Sequence, residues 1–153
     1  LILAQDPDLL ILDDFSMGLD PGYRRLFIDY LREYAKAENK TIFVTSHIIQ
    51  DMERLIDDVL IMDYNRILAQ QPIESFMKNF RQYNIRLAQH DTGFPQTKLA
   101  MNIERIKDTV EFYTYSDENE IKAFLNNSGI SYTSFEEKKM TLEDAFIGLT
   151  SKY

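Results

Sequence analysis

Two adjacent aspartates are the side chains of this sequence best placed to do chemistry. Asp13 and Asp14 directly follow the apolar run at residues 9–12. Carboxylates at the carboxyl end of a buried strand lie at the ligand edge of an open α/β sheet. Neighbouring strand residues point to opposite sides, so one carboxylate can face a magnesium ion through water while the other orients a water or takes its proton.

The elements around this pair alternate between strands and helices. Residues 9–12 and 41–45 read as strands buried on both faces, and residues 58–62 as a third strand. Asp20 is a plausible N-cap for a helix that begins near Pro21 and ends near residues 38–39, and a second helix is predicted over residues 48–56. A returning antiparallel strand at 66–71 and a helix at 73–81 follow. This order predicts a parallel α/β architecture with flanking helices.

A second, smaller module is predicted after about residue 82. Its elements read as strands at 98–106, 109–115 and 131–136, with helices at 117–127 and 141–150. Thr141 and Asp144 have the spacing of a capping box at the last helix. We therefore expect two domains, residues 1–81 and a small α+β domain at 82–153.

The composition of the chain argues against several classes of binding site and partner. The chain has 153 residues, 44% hydrophobic and 27% charged, with a formal net charge of −8. Because nucleic-acid binding needs a basic patch, we expect no nucleic-acid partner. The sequence has no cysteine and therefore no thiolate metal site. It has no apolar run of the roughly 20 residues that a membrane-spanning helix needs, so a membrane connection is expected to come through a partner chain.

Residues 9–21, Leu-Leu-Ile-Leu-Asp-Asp-Phe-Ser-Met-Gly-Leu-Asp-Pro, resemble the Walker B motif and D-loop of ABC ATPases, which have a P-loop NTPase fold, and Thr45-Ser46-His47 resembles their H-loop. The resemblance implies that Asp13 supports Mg²⁺ and that Asp14 takes the place of the catalytic glutamate. It further implies that Asp20 touches an opposing subunit and that His47 contacts the γ-phosphate of ATP. Taken singly, each feature also has a structural reading: a solvated strand end, a helix start, or a hydrogen-bonded histidine.

The sequence departs from the family pattern at Asp14, Phe15 and Met17, where the family usually has glutamate, proline and a small polar residue. Aspartate is shorter by one methylene, and a misplacement of about 1 Å can lower a rate about 100-fold. We therefore hypothesise that Asp14→Glu raises ATP turnover in the full-length protein. No phosphate-binding Gly-x-x-x-x-Gly-Lys-Ser/Thr occurs. Together with the apolar start at Leu1, this suggests a C-terminal fragment of a longer protein that hydrolyses no ATP by itself.

Residues 140–150 resemble the closing helix of ATP-binding subunits from ABC exporters with an appended C-terminal domain, although a plain amphipathic helix explains them equally well. The resemblance implies an ATP-hydrolysing subunit at the cytoplasmic face of the cell membrane, with ATP and Mg²⁺ as cofactors. Its partners would be a membrane-spanning subunit and a second nucleotide-binding subunit. The alternative is a non-catalytic dimerisation or regulatory module with a degenerate nucleotide site. DNA-repair and ribosome-associated relatives share a Walker B motif, but the acidic charge and the exporter-like C-terminal module argue against them.

Overall fold

The structure, a computed structural model, describes residues 3–88, 93–95 and 97–151. The sequence also predicts the tail of a helix at residues 1–5 and a loop at 90–95. Residues 1 and 2, and part of that loop, lie outside the described residues. The chain forms two compact units, Leu1–Ile56 and Asp57–Tyr153. The two units are defined by the packing of the chain. The division into domains at 1–81 and 82–153 stays a prediction.

The first unit contains a two-stranded parallel sheet and its crossover helix. Strands β1 (Leu9–Asp13) and β2 (Thr41–Thr45) pair in parallel, as the sequence predicts, and helix α1 (Pro21–Ala37) connects them. A 3-10 turn at Leu3–Gln5 stands where the tail of a helix was predicted. The core of this unit consists of buried residues from α1 and the segment after β2, against which the inward side of the sheet packs. Its buried members are Ile28, Leu31, Met52 and Leu55.

The prediction that both strands are buried on both faces is wrong within this unit. Leu10 is buried, but its neighbours Leu9 and Ile11 are 52% and 70% exposed, and Phe43 of β2 is 55% exposed. Side chains alternate between the two faces of a strand, and the helices of this unit cover only one face of the sheet. An uninterrupted apolar run therefore does not show whether other elements cover one face of the strand or both faces.

A lysine fixes the amino ends of the two strands. The Lys40 ammonium, whose side chain is only 8% exposed, lies 2.9 Å from Asp6 Oδ1 and 3.4 Å from Asp8 Oδ1. The hydrogen bond to Asp6 raises the pKa of Lys40, and the same contact lowers the pKa of Asp6. The Thr41 amide also donates to the Asp8 carbonyl at 2.9 Å, so the segments entering β1 and β2 are held side by side.

The second helix of this unit is shorter than predicted. α2 spans Ile49–Met52 instead of residues 48–56. The amides of Leu55 and Ile56 both donate to the Met52 carbonyl, so a turn takes over from the helix. Leu55 is buried in the core and Ile56 packs against it. The apolar spacing thus indicated which residues face the core, although these residues lie in one short helix and the turn that follows it.

The second unit begins with an antiparallel hairpin and continues into a four-stranded antiparallel sheet in the order β6-β7-β5-β8. The hairpin pair, the helix after it and most elements of the sheet lie close to their predicted positions. The bounds are β3 (Asp58–Asp63), β4 (Arg66–Pro72), α3 (Ile73–Asn79), β5 (Arg81–Leu87), β6 (Met101–Ile106), β7 (Thr109–Thr114), α4 (Glu118–Asn127), β8 (Tyr132–Lys138) and α5 (Leu142–Thr150).

Strand β5, which was not predicted from the sequence, is central in this sheet and pairs with both β7 and β8. Its side chains Tyr83, Ile85 and Leu87 enter a core shared with Phe112 of β7. The polar residues between them lie on the other face, so the strand alternates as a half-buried strand should. The sequence carries this period-two signal, with apolar residues at positions 83, 85 and 87.

Two helices of this unit, α4 and α5, begin at capping boxes. At α4 the Asp117 side chain accepts from the Glu120 amide at 2.9 Å while Glu120 accepts from the Asp117 amide. At α5 Thr141 and Asp144 exchange the same two bonds, which confirms the predicted capping box. Each box satisfies amide groups that a helix start leaves without intrahelical partners.

Candidate functional site

Asp13 is the last residue of β1 and lies opposite Thr45, the last residue of β2. The Thr45 hydroxyl donates a hydrogen bond to Asp13 Oδ1. Both side chains are exposed at the carboxyl end of the parallel pair. A carboxylate can accept about four hydrogen bonds, so this contact leaves Asp13 able to bind further donors or a hydrated cation.

Asp14 leaves the strand and turns toward the segment after β2. Its backbone has φ of +42°, the left-handed region that aspartate tolerates better than most residues, and its amide donates to the Thr45 carbonyl at 3.0 Å. The carboxylate oxygen Oδ1 lies 3.0 Å from the His47 amide nitrogen and 2.8 Å from His47 Nδ1. Asp13 and Asp14 therefore have different partners. The expectation that they serve different tasks stays a prediction.

The contact with His47 determines the electrostatics of Asp14. The hydrogen bond from the His47 ring lowers the pKa of Asp14, and the bond from the His47 amide lowers it further. Both bonds favour the charged form of the carboxyl. Because a carboxylate only accepts, Nδ1 of His47 carries the proton in this contact. In a neutral imidazole with that tautomer, Nε2 is left as an acceptor.

Asp20 lies at the start of α1 and is used as its N-cap. Its Oδ1 accepts from the amides of Gly22 at 3.0 Å and Tyr23 at 3.2 Å. The turn from Asp14 to Asp20 is closed by backbone bonds from Met17 to Asp14 and from Leu19 to Ser16. The predicted cap is confirmed, whereas the contact of Asp20 with an opposing subunit stays a prediction.

Thr45 and Ser46, to which the sequence assigned no separate role, both make contacts at this site. Thr45 contacts Asp13 through its hydroxyl and Asp14 through its carbonyl. The Ser46 hydroxyl accepts from the Ile48 amide at 3.0 Å and closes the turn that contains His47. The parallel pairing of two strands that both end in polar residues is the signal that could have identified Thr45.

The donor set at this edge fits a magnesium ion that is held together with phosphate. Magnesium keeps several waters and is usually bound through one or two carboxylates plus phosphate oxygens. Asp13 supplies such a carboxylate at an exposed strand end. Within residues 3–88, 93–95 and 97–151, no group of three or more acidic, histidine or cysteine side chains forms a metal cage. The residues thus suit an ion bound jointly by Asp13 and phosphate oxygens better than an ion bound by protein groups alone.

None of the helices in the described part of the chain has the length and apolar character needed to span a lipid bilayer.

The chain is similar to ATP-binding proteins of export and transport systems. No family model matches the chain. It is 30% identical over 157 residues to the Nod factor export ATP-binding protein I of Ralstonia nicotianae, an alignment that covers 98% of the chain and 49% of the relative. The protein of the same name from Rhizobium meliloti is 30% identical over 163 residues, with 98% and 45% covered. The bacitracin transport ATP-binding protein BcrA of Bacillus licheniformis is 27% identical over 158 residues, with 96% and 50% covered.

The chain spans about half the length of the curated relatives it matches. Its mixed helices and sheets are those of the C-terminal half of such proteins. The alignments run from one end of the chain to the other, so they include both the strand pair that carries Asp14 and His47 and the four-stranded sheet. Over nearly its whole length, this chain is homologous to the ATP-binding subunits of ABC transporters.

Proposed function

We propose that the chain is part of the ATP-binding and ATP-hydrolysing subunit of an ABC transporter, and that Asp14 and His47 act together on the attacking water. The observation that carries the proposal is the double contact of Asp14 Oδ1 with the His47 amide and ring, at 3.0 and 2.8 Å. It joins an acid and an imidazole at the carboxyl ends of two paired parallel strands, where α/β sheets bind ligands.

Asp14 has two tasks in this proposal. Its carboxylate orients the His47 ring by accepting from Nδ1. The bonds from His47 lower the pKa of Asp14 and favour its charged form, which can hold a water or accept its proton. The opposite ring nitrogen, Nε2 of His47, can then donate to a γ-phosphate oxygen when the ring is charged, and it can accept from a water when the ring is neutral.

Asp13 and Asp20 complete the assignment. Asp13 would hold a water of Mg²⁺, and the ion when bound neutralises negative charge on the phosphates. Asp20 fixes the start of α1, and the turn before it would face the second nucleotide-binding subunit. The phosphate-binding loop would come from a part of the subunit outside this sequence, so the chain by itself is expected to hydrolyse no ATP.

The same assignment implies a location and partners for the subunit. We place it at the cytoplasmic face of the cell membrane, bound to a membrane-spanning subunit, with a second nucleotide-binding subunit opposite Asp20. The names of the relatives, which include export and transport of different compounds, support a role in transport and no particular substrate.

The test is ATP turnover by the full-length subunit with Asp14→Asn, and Asp58→Asn as the matched control at an exposed aspartate. Loss of a general base lowers a rate by about 10²–10⁴-fold, so turnover with Asp14→Asn should fall by at least about 100-fold. The control should retain wild-type turnover. Wild-type turnover by Asp14→Asn would contradict the proposal and favour the alternative, a non-catalytic dimerisation or regulatory module.

A second variant, Asp14→Glu, tests the departure from the family pattern. Its longer side chain should raise turnover if the position of the carboxylate limits the rate. Unchanged or lower turnover would mean that Asp14, through its two bonds to His47, is already well placed.

A further inference from the structure

Thr45 is the residue through which β2 contacts both acidic residues at the end of β1. Its hydroxyl donates to Asp13 Oδ1, and its carbonyl accepts from the Asp14 amide at 3.0 Å. Two residues later the chain reaches His47, which contacts the Asp14 carboxylate. Thr45 and His47 thus make the side-chain hydrogen bonds that join this segment to the two acids.

The side-chain contact restricts the orientation of Asp13. A carboxylate is acceptor-only, so the hydroxyl proton of Thr45 must point at Oδ1. Threonine is branched at Cβ and has few side-chain rotamers, so it presents its hydroxyl in a defined direction. Without this donor, the Asp13 side chain at an exposed strand end would have no described partner to hold one rotamer.

We propose that Thr45 is a positioning residue that holds the Asp13 carboxylate in the orientation that supports the metal–nucleotide complex. The inference rests on the proposed function, because it takes Asp13 as the carboxylate that faces Mg²⁺. Thr45 does not touch the ion or the nucleotide in this scheme. It acts through Asp13, as outer-shell hydrogen-bond partners orient metal-binding groups in other proteins.

The experiment measures Mn²⁺ affinity by electron paramagnetic resonance in the full-length subunit with a non-hydrolysable ATP analogue. Removal of an outer-shell partner typically weakens metal binding by about 10–100-fold, and we expect about 10-fold weaker binding for Thr45→Val. Thr45→Ser, which keeps the hydroxyl, should bind Mn²⁺ close to wild type. The matched control is Thr41→Val, the same change at the other end of β2, and it should leave the affinity unchanged.

A second readout does not depend on metal or nucleotide. In the 153-residue chain, three-bond nuclear magnetic resonance couplings report the rotamer of Asp13 about χ1. They should indicate one dominant rotamer in wild type and in Thr45→Ser, and averaging in Thr45→Val. Valine suits a strand at least as well as threonine, so the variant is expected to keep the fold.

The variants separate this inference from the proposed function. If Asp13→Asn weakens Mn²⁺ binding while Thr45→Val changes neither the affinity nor the Asp13 couplings, the positioning role is overturned and the proposed function stands. If Asp13→Asn leaves Mn²⁺ binding intact, the assignment of Asp13 fails, and the inference about Thr45 fails with it.

Discussion

Gly148, near the carboxyl end of α5, provides the sharpest test of how the second unit is packed. It is buried, and a Cβ atom added there would lie 2.2 Å from Tyr113 Cδ1 and 2.3 Å from Tyr113 Cγ. Carbon atoms in contact lie about 3.5–4.0 Å apart, so the ring would have to move by more than about 1 Å. We therefore expect Gly148→Ala to destabilise the unit although alanine favours helix.

The Tyr113 ring has little room to move. It stacks on Phe80 with ring centroids 6.0 Å apart and an angle of 15° between the planes, and its hydroxyl accepts from Gln82 Nε2 at 3.1 Å. Overpacking of a filled core costs about 1–3 kcal/mol, and a displacement of this size belongs at the upper end of that range. Replacing glycine by alanine in a helix interior returns about 1 kcal/mol. The expected net loss is about 2 kcal/mol.

Urea unfolding of the 153-residue chain, followed by amide exchange of residues in β5 and β7, measures this loss. Ala123→Gly, at an exposed position of α4 in the same unit, measures the helix-propensity term alone and should destabilise by about 1 kcal/mol. If Gly148→Ala instead stabilises the chain by the amount that Ala123→Gly loses, α5 does not pack on Tyr113 as described and the reasoning fails.

Three further predictions concern other contacts. The Tyr83 hydroxyl is buried without a hydrogen-bond partner among the described residues. Tyr83→Phe should therefore leave the free energy of unfolding in urea unchanged or raise it by up to about 1–3 kcal/mol. A decrease of about 1 kcal/mol would indicate that the hydroxyl has a partner. Asp117→Ala removes the capping box of α4 and should cost about 1 kcal/mol; an unchanged urea midpoint would show that the cap contributes nothing. His47→Ala should raise the pKa of Asp14 toward its ordinary value of 3.8 in a carbon-detected carboxyl titration. Since the pKa of Asp14 is lowered in the folded chain, the contact contributes fully to folding stability above the unfolded pKa. This contribution is lost as pH falls through the lower, folded pKa. An Asp14 pKa that does not change in His47→Ala would contradict the Asp14–His47 contact.

Local signals in the sequence predicted much of the fold because they depend on a few neighbouring residues. The start of α1 follows from Asp20 as a cap and Pro21 in the first turn, and both are where they were predicted. The capping box of α5 follows from the spacing of Thr141 and Asp144. Such signals are complete within three or four residues, so distant parts of the chain do not override them.

Features that depend on distant partners were missed or misjudged. β5 alternates between apolar and polar residues, yet its central place in the sheet depends on β7 and β8, which lie further along the chain. The exposed positions Ile11 and Phe43 were expected to be buried, because the apolar run indicates a strand but not how many faces are covered. Periodicity specifies which residues share a face, and only the packing of other elements specifies whether that face is covered.

The candidate site illustrates the same limit, because its residues were predicted and their contacts were not. Asp14 and His47 are 33 positions apart and meet only because β1 and β2 pair with Asp13 opposite Thr45. A slip of one residue would place Val44 or Ser46 opposite Asp13 and reverse the sides of the sheet on which the side chains lie. The contacts of Lys40 with Asp6 and Asp8 hold the register at the other end of the same strand pair. The geometry of the acid and the imidazole is therefore specified at both ends of the two strands, and not by the motif residues alone.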